Sequence, residues 1–375
     1  MKLLYVTDAL AVHGGIERVL TDKANWLSEH GFDVFILTAN QGDHSYVYPL
    51  LSAVSCYDLQ IQFHQQYHYS GLKKLLCYRR LHHLFRGRLS NKIKEIRPDV
   101  IICLRLDYLR DLLKVKGLVP LVFESHSSRL ASHFEGDGLL RRLHVRYLQL
   151  AVKKTQMVVA LTEGDAREWK KLTPDVCVIP NVVHLNESGS YSDCTAKSVI
   201  YVGRFSKQKD VGSLLHIWDI VHKHYPDWCL HIYGEYGEGQ VSLRDEIDKM
   251  GANVYVHGAT SAIFDKYKEC SILLLTSLYE PFGLVLVEAM SCGLPVVAFD
   301  CPYGPAELIT EKVDGFLIKN HNIEDFAESI CQLIESKPLR QNMGKRAVKS
   351  SQRYQKDEIM QKWEKMFSFF LFFSK

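Results

Sequence analysis

Short apolar runs alternating with helical patterns along almost the whole chain constrain the fold more than any other feature. They fall at Leu3 to Thr7, Val34 to Thr38, Val100 to Leu104, Leu121 to Glu124 and Val158 to Thr162. A βα rhythm of this kind argues for a parallel sheet, because each helical segment carries the chain back to the edge from which the next strand starts. After Ile179-Pro-Asn-Val-Val-His184 the rhythm restarts at Val199 to Gly203, Leu230 to Gly234, Val254 to Gly258, Ile272 to Thr276 and Val296 to Phe299. Two doubly wound α/β units are therefore expected. The length of 375 residues agrees, being too great for one ordinary core. Pro180-Asn181 and the polar stretch from Asn186 to Ser198 put the boundary near His184, giving residues 1–183 and 184–354, with 355–375 as a separate closing segment.

Composition excludes several classes. Hydrophobic residues make up 47% and charged residues 24%, as in globular proteins rather than disordered or collagen-like chains. A net charge of +3 is too small to imply a nucleic-acid partner. The ten cysteines show neither a Cys-x2-Cys pair nor a zinc spacing, and Met1-Lys-Leu-Leu-Tyr-Val-Thr-Asp8 runs directly into a strand, so a reduced cytoplasmic setting is expected. No apolar run approaches the roughly 20 residues that span a bilayer, although Met366 to Phe373 is unusually apolar.

Within the second unit, Glu280-Pro-Phe-Gly-Leu-Val-Leu-Val-Glu288 places Glu280 in the loop leaving the strand Ile272 to Leu275, and Glu288 on a helix opening at Gly283. The unpaired N–H groups of that first helical turn and the positive end of its dipole suit an anion such as a diphosphate. Val199-Ile-Tyr-Val-Gly203 ends in Arg204-Phe-Ser-Lys-Gln-Lys209-Asp210, a cluster of cations at the carboxyl end of a parallel strand, where open α/β sheets bind ligands. Taken alone, such cations are usually surface charges; beside the Glu pair they become candidates for stabilising charge on a leaving diphosphate.

The spacing of the two glutamates resembles the E-x7-E motif of retaining glycosyltransferases with the GT-B fold. Glu280-Pro-Phe-Gly with Glu288-Ala-Met-Ser-Cys-Gly-Leu-Pro-Val-Val, and Gly-Arg-Phe-Ser-x-x-Lys-Asp before it, resemble family 4, the glycosyl transferases group 1, in its bacterial surface-polysaccharide type. The resemblance spans nearly the full chain. It implies that Arg204 and Lys209 hold the donor diphosphate, that Glu288 takes the ribose hydroxyls, that Glu280 contacts the transferred sugar, and that Phe282, Gly283 and Leu284 line the donor site. His13-Gly14-Gly15-Ile16-Glu17 follows the first strand; two glycines let backbone approach a ligand, and the resemblance puts Gly14 and Gly15 near the donor phosphates and the acceptor. It is not the dinucleotide G-x-G-x-x-G fingerprint. His126, after strand Leu121 to Glu124, fits the family's histidine near the reacting sugar and is expected at a strand end facing the interdomain cleft. The resemblance further implies an acceptor-binding first domain, a nucleotide-sugar-binding second domain, and a closing segment from about Gln355 that crosses back to the first.

Cys301-Pro-Tyr-Gly-Pro-Ala-Glu307 reads as a loop and helix start, and its similarity to words in members using UDP-linked donors favours a UDP-sugar over a GDP-sugar of mannosyl type. No Asp-x-Asp triplet is present, and no metal cofactor is expected. Lys73, Lys74, Arg79, Arg80, Arg86, Arg88, Lys92, Lys94 and Arg97 interleave with Leu72, Leu75, Leu76, Leu84 and Phe85, and a second basic run spans Leu140 to Arg146. Each well-placed cation would draw the chain to an anionic leaflet by roughly 1 kcal/mol, so peripheral membrane contact is expected, against the simpler reading of a solvated helix face; the resemblance to family 4 implies a lipid-linked or polysaccharide acceptor. The rival readings are a nucleotide-sugar epimerase on the same scaffold and a catalytically silent relative acting as a partner subunit.

Overall fold

The structure, a computed structural model, describes residues 1–134, 138–234, 247, 250–251 and 253–373. The chain divides into two compact units. One contains Met1–Ser132, Asp137–Val182 and Asp357–Lys375, the other His133–Gly136 and Val183–Lys356.

The first unit holds seven parallel strands, β1 (Lys2–Thr7), β2 (Asp33–Thr38), β3 (Ser55–Asp58), β4 (Val100–Cys103), β5 (Leu121–Glu124), β6 (Met157–Ala160) and β7 (Val176–Val178), in the order β3-β2-β1-β4-β5-β6-β7. The second holds six, β8 (Ser198–Val202), β9 (Cys229–Tyr233), β10 (Val254–His257), β11 (Ile272–Leu275), β12 (Val296–Asp300) and β13 (Gly315–Lys319), in the order β10-β9-β8-β11-β12-β13. Both are Rossmann-like doubly wound sheets. The three strands that the apolar pattern does not announce, β3, β7 and β13, all lie at sheet edges. β3 and β7 are only half-buried. An edge strand shields one side less, so its sequence needs no continuous apolar run.

Helices cover the faces by simple apolar periodicity. Gly15–Glu29 buries Val19, Leu20, Ala24, Trp26 and Leu27, and Val211–His224 buries Leu214, Leu215, Ile217, Trp218 and Val221. Gly71–Ile96 buries only Leu81, Phe85, Leu89, Ile93 and Ile96, a stripe that starts three turns into the helix. The final helix, Lys356–Phe373, belongs to the first unit. Trp26 Nε1 donates to Asp357 Oδ1 at 2.7 Å, and Phe367 packs 6.0 Å from Phe32, ring centre to ring centre. Trp363, Phe367 and Phe370 are buried while Phe369 is exposed. The apolar tail therefore owes its composition in part to core packing; the side chains after Phe370 lie outside the described residues.

The loop after β5 is pinned from beneath by Asp165 of the Glu163–Lys170 helix, which accepts hydrogen bonds from the Arg129 backbone N–H at 2.9 Å and Trp169 Nε1 at 2.8 Å, with Ser125 Oγ at 3.4 Å. Burial pushes the Asp165 carboxyl up from 3.8 to about 6, against those donors. A carboxyl whose pKa is raised on folding stabilises the fold fully below its unfolded value and loses that contribution as pH rises through the folded one. Stability should thus fall by about 2 kcal/mol between pH 4 and pH 7 on account of Asp165. Asp165→Asn should remove this slope, so that urea midpoints of wild type and variant diverge in the variant's favour as pH rises.

Candidate active site

In the second sheet the strand order reverses between β8 and β11, and the loops leaving these two strands carry the predicted charges. A doubly wound sheet opens a crevice at that reversal, because the helices on either side run to opposite faces. Lys209 and Glu280 meet there. The Lys209 ammonium is paired with Glu280 Oε2, and Ser277 Oγ lies 3.3 Å from the same oxygen. Backbone bonds fix the loops to each other: Leu278 N–H donates to Gln208 O at 2.8 Å, and Thr276 Oγ1 donates to the carbonyls of Lys209 and Asp210 at 3.2 and 3.1 Å. The loop after β12 joins them, since Glu280 N–H donates to Pro302 O while Tyr303 and Gly304 N–H donate to Glu280 O. Gly304 is required by this approach, because a Cβ there would overlap the Phe282 carbonyl. The Cys301 to Glu307 segment is in this way part of the Glu280 environment.

Gly283 differs from expectation in one respect. It is the N-cap of the Leu284–Ser291 helix and sits at φ +105°, a conformation that side-chain-bearing residues rarely adopt, rather than being the first helical residue. Phe282 and Gly283 are buried and Leu284 half-buried. Glu288 is 3% exposed and accepts a hydrogen bond from Tyr267 Oη at 3.2 Å. Arg204 is exposed at the start of the loop leaving β8. An exposed guanidinium, a lysine ammonium and the N-terminal end of a helix can together hold a dianion. Among the described residues, no group of three or more His, Cys, Asp or Glu side chains is placed to hold a metal ion.

In the first unit, Gly14 is the N-cap of the Gly15–Glu29 helix with φ −122°, so its need for glycine is not conformational; a Cβ would meet the Glu17 carboxylate. Gly15 opens the helix and is exposed. His126, expected at an open strand end, has a side chain only 4% exposed, with Nε2 3.0 Å from Glu124 Oε1. That nitrogen is not aimed at the oxygen, so the contact is electrostatic rather than a formed hydrogen bond. Glu124 is also paired with Lys23, and both of these side chains are 1% exposed. Burial lowers the Lys23 pKa against the pull of Glu124; burial raises that of Glu124, but Lys23 and His126 outweigh it and hold the carboxyl at about 2.

Sequence reasoning missed Lys23, Glu124 and a pocket of about 410 Å³ lined by Asp8, Asn40, Lys74, Tyr78, Arg105 and Tyr108 among others. Its first walls are the polar residues just beyond β1, β2 and β4, at the reversal of the first sheet's strand order. Asp8 Oδ1 accepts from Tyr108 Oη and Asn40 Nδ2. The usable signal was the first polar residue after each apolar run.

The basic stretch is only partly free. Arg86 pairs with Asp111 at 2.8 Å, Arg88 donates to the carbonyls of Leu59 and Gln60, and Lys92 lies over Tyr57 and pairs with Glu95. Phe85 is core. Leu72, Leu75 and Leu76 are exposed on the first half of that helix, and Leu139, Leu140 and Leu143 on the Leu139–Gln149 helix. No helix among the described residues is long and apolar enough to cross a membrane.

Two family models match, Glycosyltransferase Family 4 over residues 13–187 and Glycosyl transferases group 1 over residues 190–350. The chain is 30% identical to the amylovoran biosynthesis glycosyltransferase of Erwinia amylovora, over 96% of this chain and 98% of that one. It is 26% identical to the lipopolysaccharide 1,6-galactosyltransferase of Escherichia coli, over 89% of each. A crystal structure of Staphylococcus aureus TarM with UDP superposes with a TM-score of 0.79 at 17% identity, covering 98% of this chain and 99% of TarM. Its glutamate-bearing loop and cation loop at the strand reversal, its paired Rossmann-like sheets and these matches make the chain a glycosyltransferase of family 4 with the GT-B fold.

Proposed function

We propose that the protein is a retaining glycosyltransferase that moves a hexose or N-acetylhexosamine from a UDP-sugar to a saccharide or lipid-linked saccharide in the building of a bacterial surface polysaccharide. The observation that carries this is the Lys209–Glu280 pair at the strand reversal of the second sheet, with Arg204 exposed on the same loop as Lys209. In this reading the acceptor oxygen bonds to the anomeric carbon on the face from which the diphosphate departs. The C1–O bond breaks with its electron pair going to UDP, and a donor phosphate oxygen takes the acceptor proton. Arg204, Lys209 and the helix N-terminus at Gly283 stabilise the developing charge without a metal, Glu280 orients the sugar, and Glu288 binds the ribose hydroxyls. To Gly14 and Gly15 we assign close backbone approach to the donor phosphates, and to His126 a hydrogen bond that orients the donor sugar. The names of the Erwinia and Escherichia relatives support a polysaccharide acceptor and a hexosyl donor, and UDP in the TarM crystal supports the nucleotide.

The 410 Å³ pocket of the first unit, with its tyrosines, carboxylate and amide, suits a hydroxyl-rich acceptor. Its Lys74 lies on the helix that exposes Leu72, Leu75 and Leu76, which supports an acceptor held at an anionic membrane surface.

Ligand at a hundredfold its dissociation constant adds about 2.7 kcal/mol to stability, so UDP should raise the melting temperature where NAD does not. Arg204→Ala should weaken that binding about tenfold to a hundredfold, the worth of a charge-assisted hydrogen bond. Glu280→Gln should bind UDP normally yet lower kcat by about 10²–10³. A shift with GDP alone would transfer the reading to a GDP-sugar, and no shift with any nucleotide would favour the silent partner. Membrane contact is checked by flotation with vesicles containing about one-third phosphatidylserine: the wild type should float at low salt, and Leu72→Ser/Leu76→Ser with Leu140→Ser should not.

A further inference from the structure

Lys23 is a lysine with no path to water, on the helix that follows Gly14 and Gly15. Its ammonium is paired with Glu124 on β5 and lies 4.2 Å from the Trp363 ring centre and 5.4 Å from that of Tyr5. Two rings therefore cover the cation from the final helix and from β1. The other end of the pair is His126. The Glu124 carboxylate charge 3.0 Å from Nε2 favours an N–H there over a lone pair even off the hydrogen-bond axis, so an ionised Glu124 places the proton of His126 on Nε2. Among the described residues, Glu124 Oε2, Tyr5 Oη, Trp363 Nε1 and His126 Nε2 are buried without hydrogen-bond partners, so the Lys23 pairing and the His126 contact, both on Oε1, are what hold that carboxylate.

We propose that the buried Lys23–Glu124 pair is a positioning device for His126, with Lys23 keeping Glu124 ionised and Glu124 fixing the tautomer and orientation of the imidazole. The proposal rests on the role assigned above to His126 only for its effect on rate. The pairing of charge, carboxylate and imidazole stands on the geometry of the first unit alone. A pair kept for stability alone would be replaceable by neutral side chains of like volume, because desolvation of two charges offsets much of their attraction.

The test uses Glu124→Gln and the double variant Lys23→Met/Glu124→Gln, the latter leaving no unpaired buried charge. Protein labelled with ¹⁵N-histidine is compared by long-range ¹H–¹⁵N spectra, the His126 signals being those missing in His126→Asn. In the wild type the His126 Nε2 signal should be that of a protonated nitrogen, and in both variants the pattern should move toward a mixture of tautomers. UDP-induced thermal shifts should be unchanged, while kcat for sugar transfer or for hydrolysis of UDP-N-acetylglucosamine falls about tenfold to a hundredfold at unchanged donor KM. Glu124→Asp should recover part of the loss. An unaltered His126 spectrum in the double variant overturns the proposal and reduces the pair to packing. If His126→Asn itself leaves transfer unchanged, the catalytic role of His126 fails, and the spectra still decide whether the pair positions it.

Discussion

All thirteen described strands run parallel within their sheets, and a parallel sheet delivers every loop that follows a strand to one edge. Chemistry-bearing residues far apart in sequence are thereby gathered without any contact having been selected for its own sake. Glu280, Lys209 and the Pro302–Gly304 backbone follow three neighbouring strands, β11, β8 and β12, and are tied together by main-chain hydrogen bonds rather than by long flexible side chains. That tying gives the Glu280 carboxylate a defined place. The glycines that permit it are specific: Gly283 for its positive φ, Gly304 for the carbonyl it lies against.

Both units place buried charge at their strand ends, with different balance. In the second unit Lys209 and Glu280 keep some exposure, at 18% and 10% of their side chains, so a ligand can compete for either partner. In the first, Lys23 and Glu124 are sealed by Tyr5 and Trp363. Removing one member of such a sealed pair strands the other at a cost of about 3–5 kcal/mol. An exchangeable pair suits substrate binding; a sealed one suits holding a neighbour in place. The final helix takes part in the second arrangement, which gives the Trp363 and Phe367 of the tail a structural purpose within the first unit.

The basic helix shows how tertiary context edits a charge pattern. Read along the chain, nine cations from Lys73 to Arg97 look alike. In the fold, Arg86 and Arg88 are committed to Asp111 and to loop carbonyls, because the helix is buried from Leu81 onward while its first turns are exposed. Any attraction to an anionic surface is left to the half that also exposes leucines.

The sequence by itself determined the fold class and marked the strand-end segments that carry Arg204, Lys209, Glu280 and Glu288. Parallel strands must be apolar throughout when both faces are covered, and the Glu280 to Glu288 and Arg204 to Lys209 words are local, each spanning one strand end and its loop. Edge strands β3, β7 and β13 stayed illegible because one unshielded side relaxes that demand. The Lys23–Glu124–His126 cluster and the Asp8, Arg105 and Tyr108 pocket were decided only in three dimensions. Their members lie up to a hundred residues apart, and a lysine or glutamate carries no mark in sequence that it will be sealed from water; that depends on which helix closes over it.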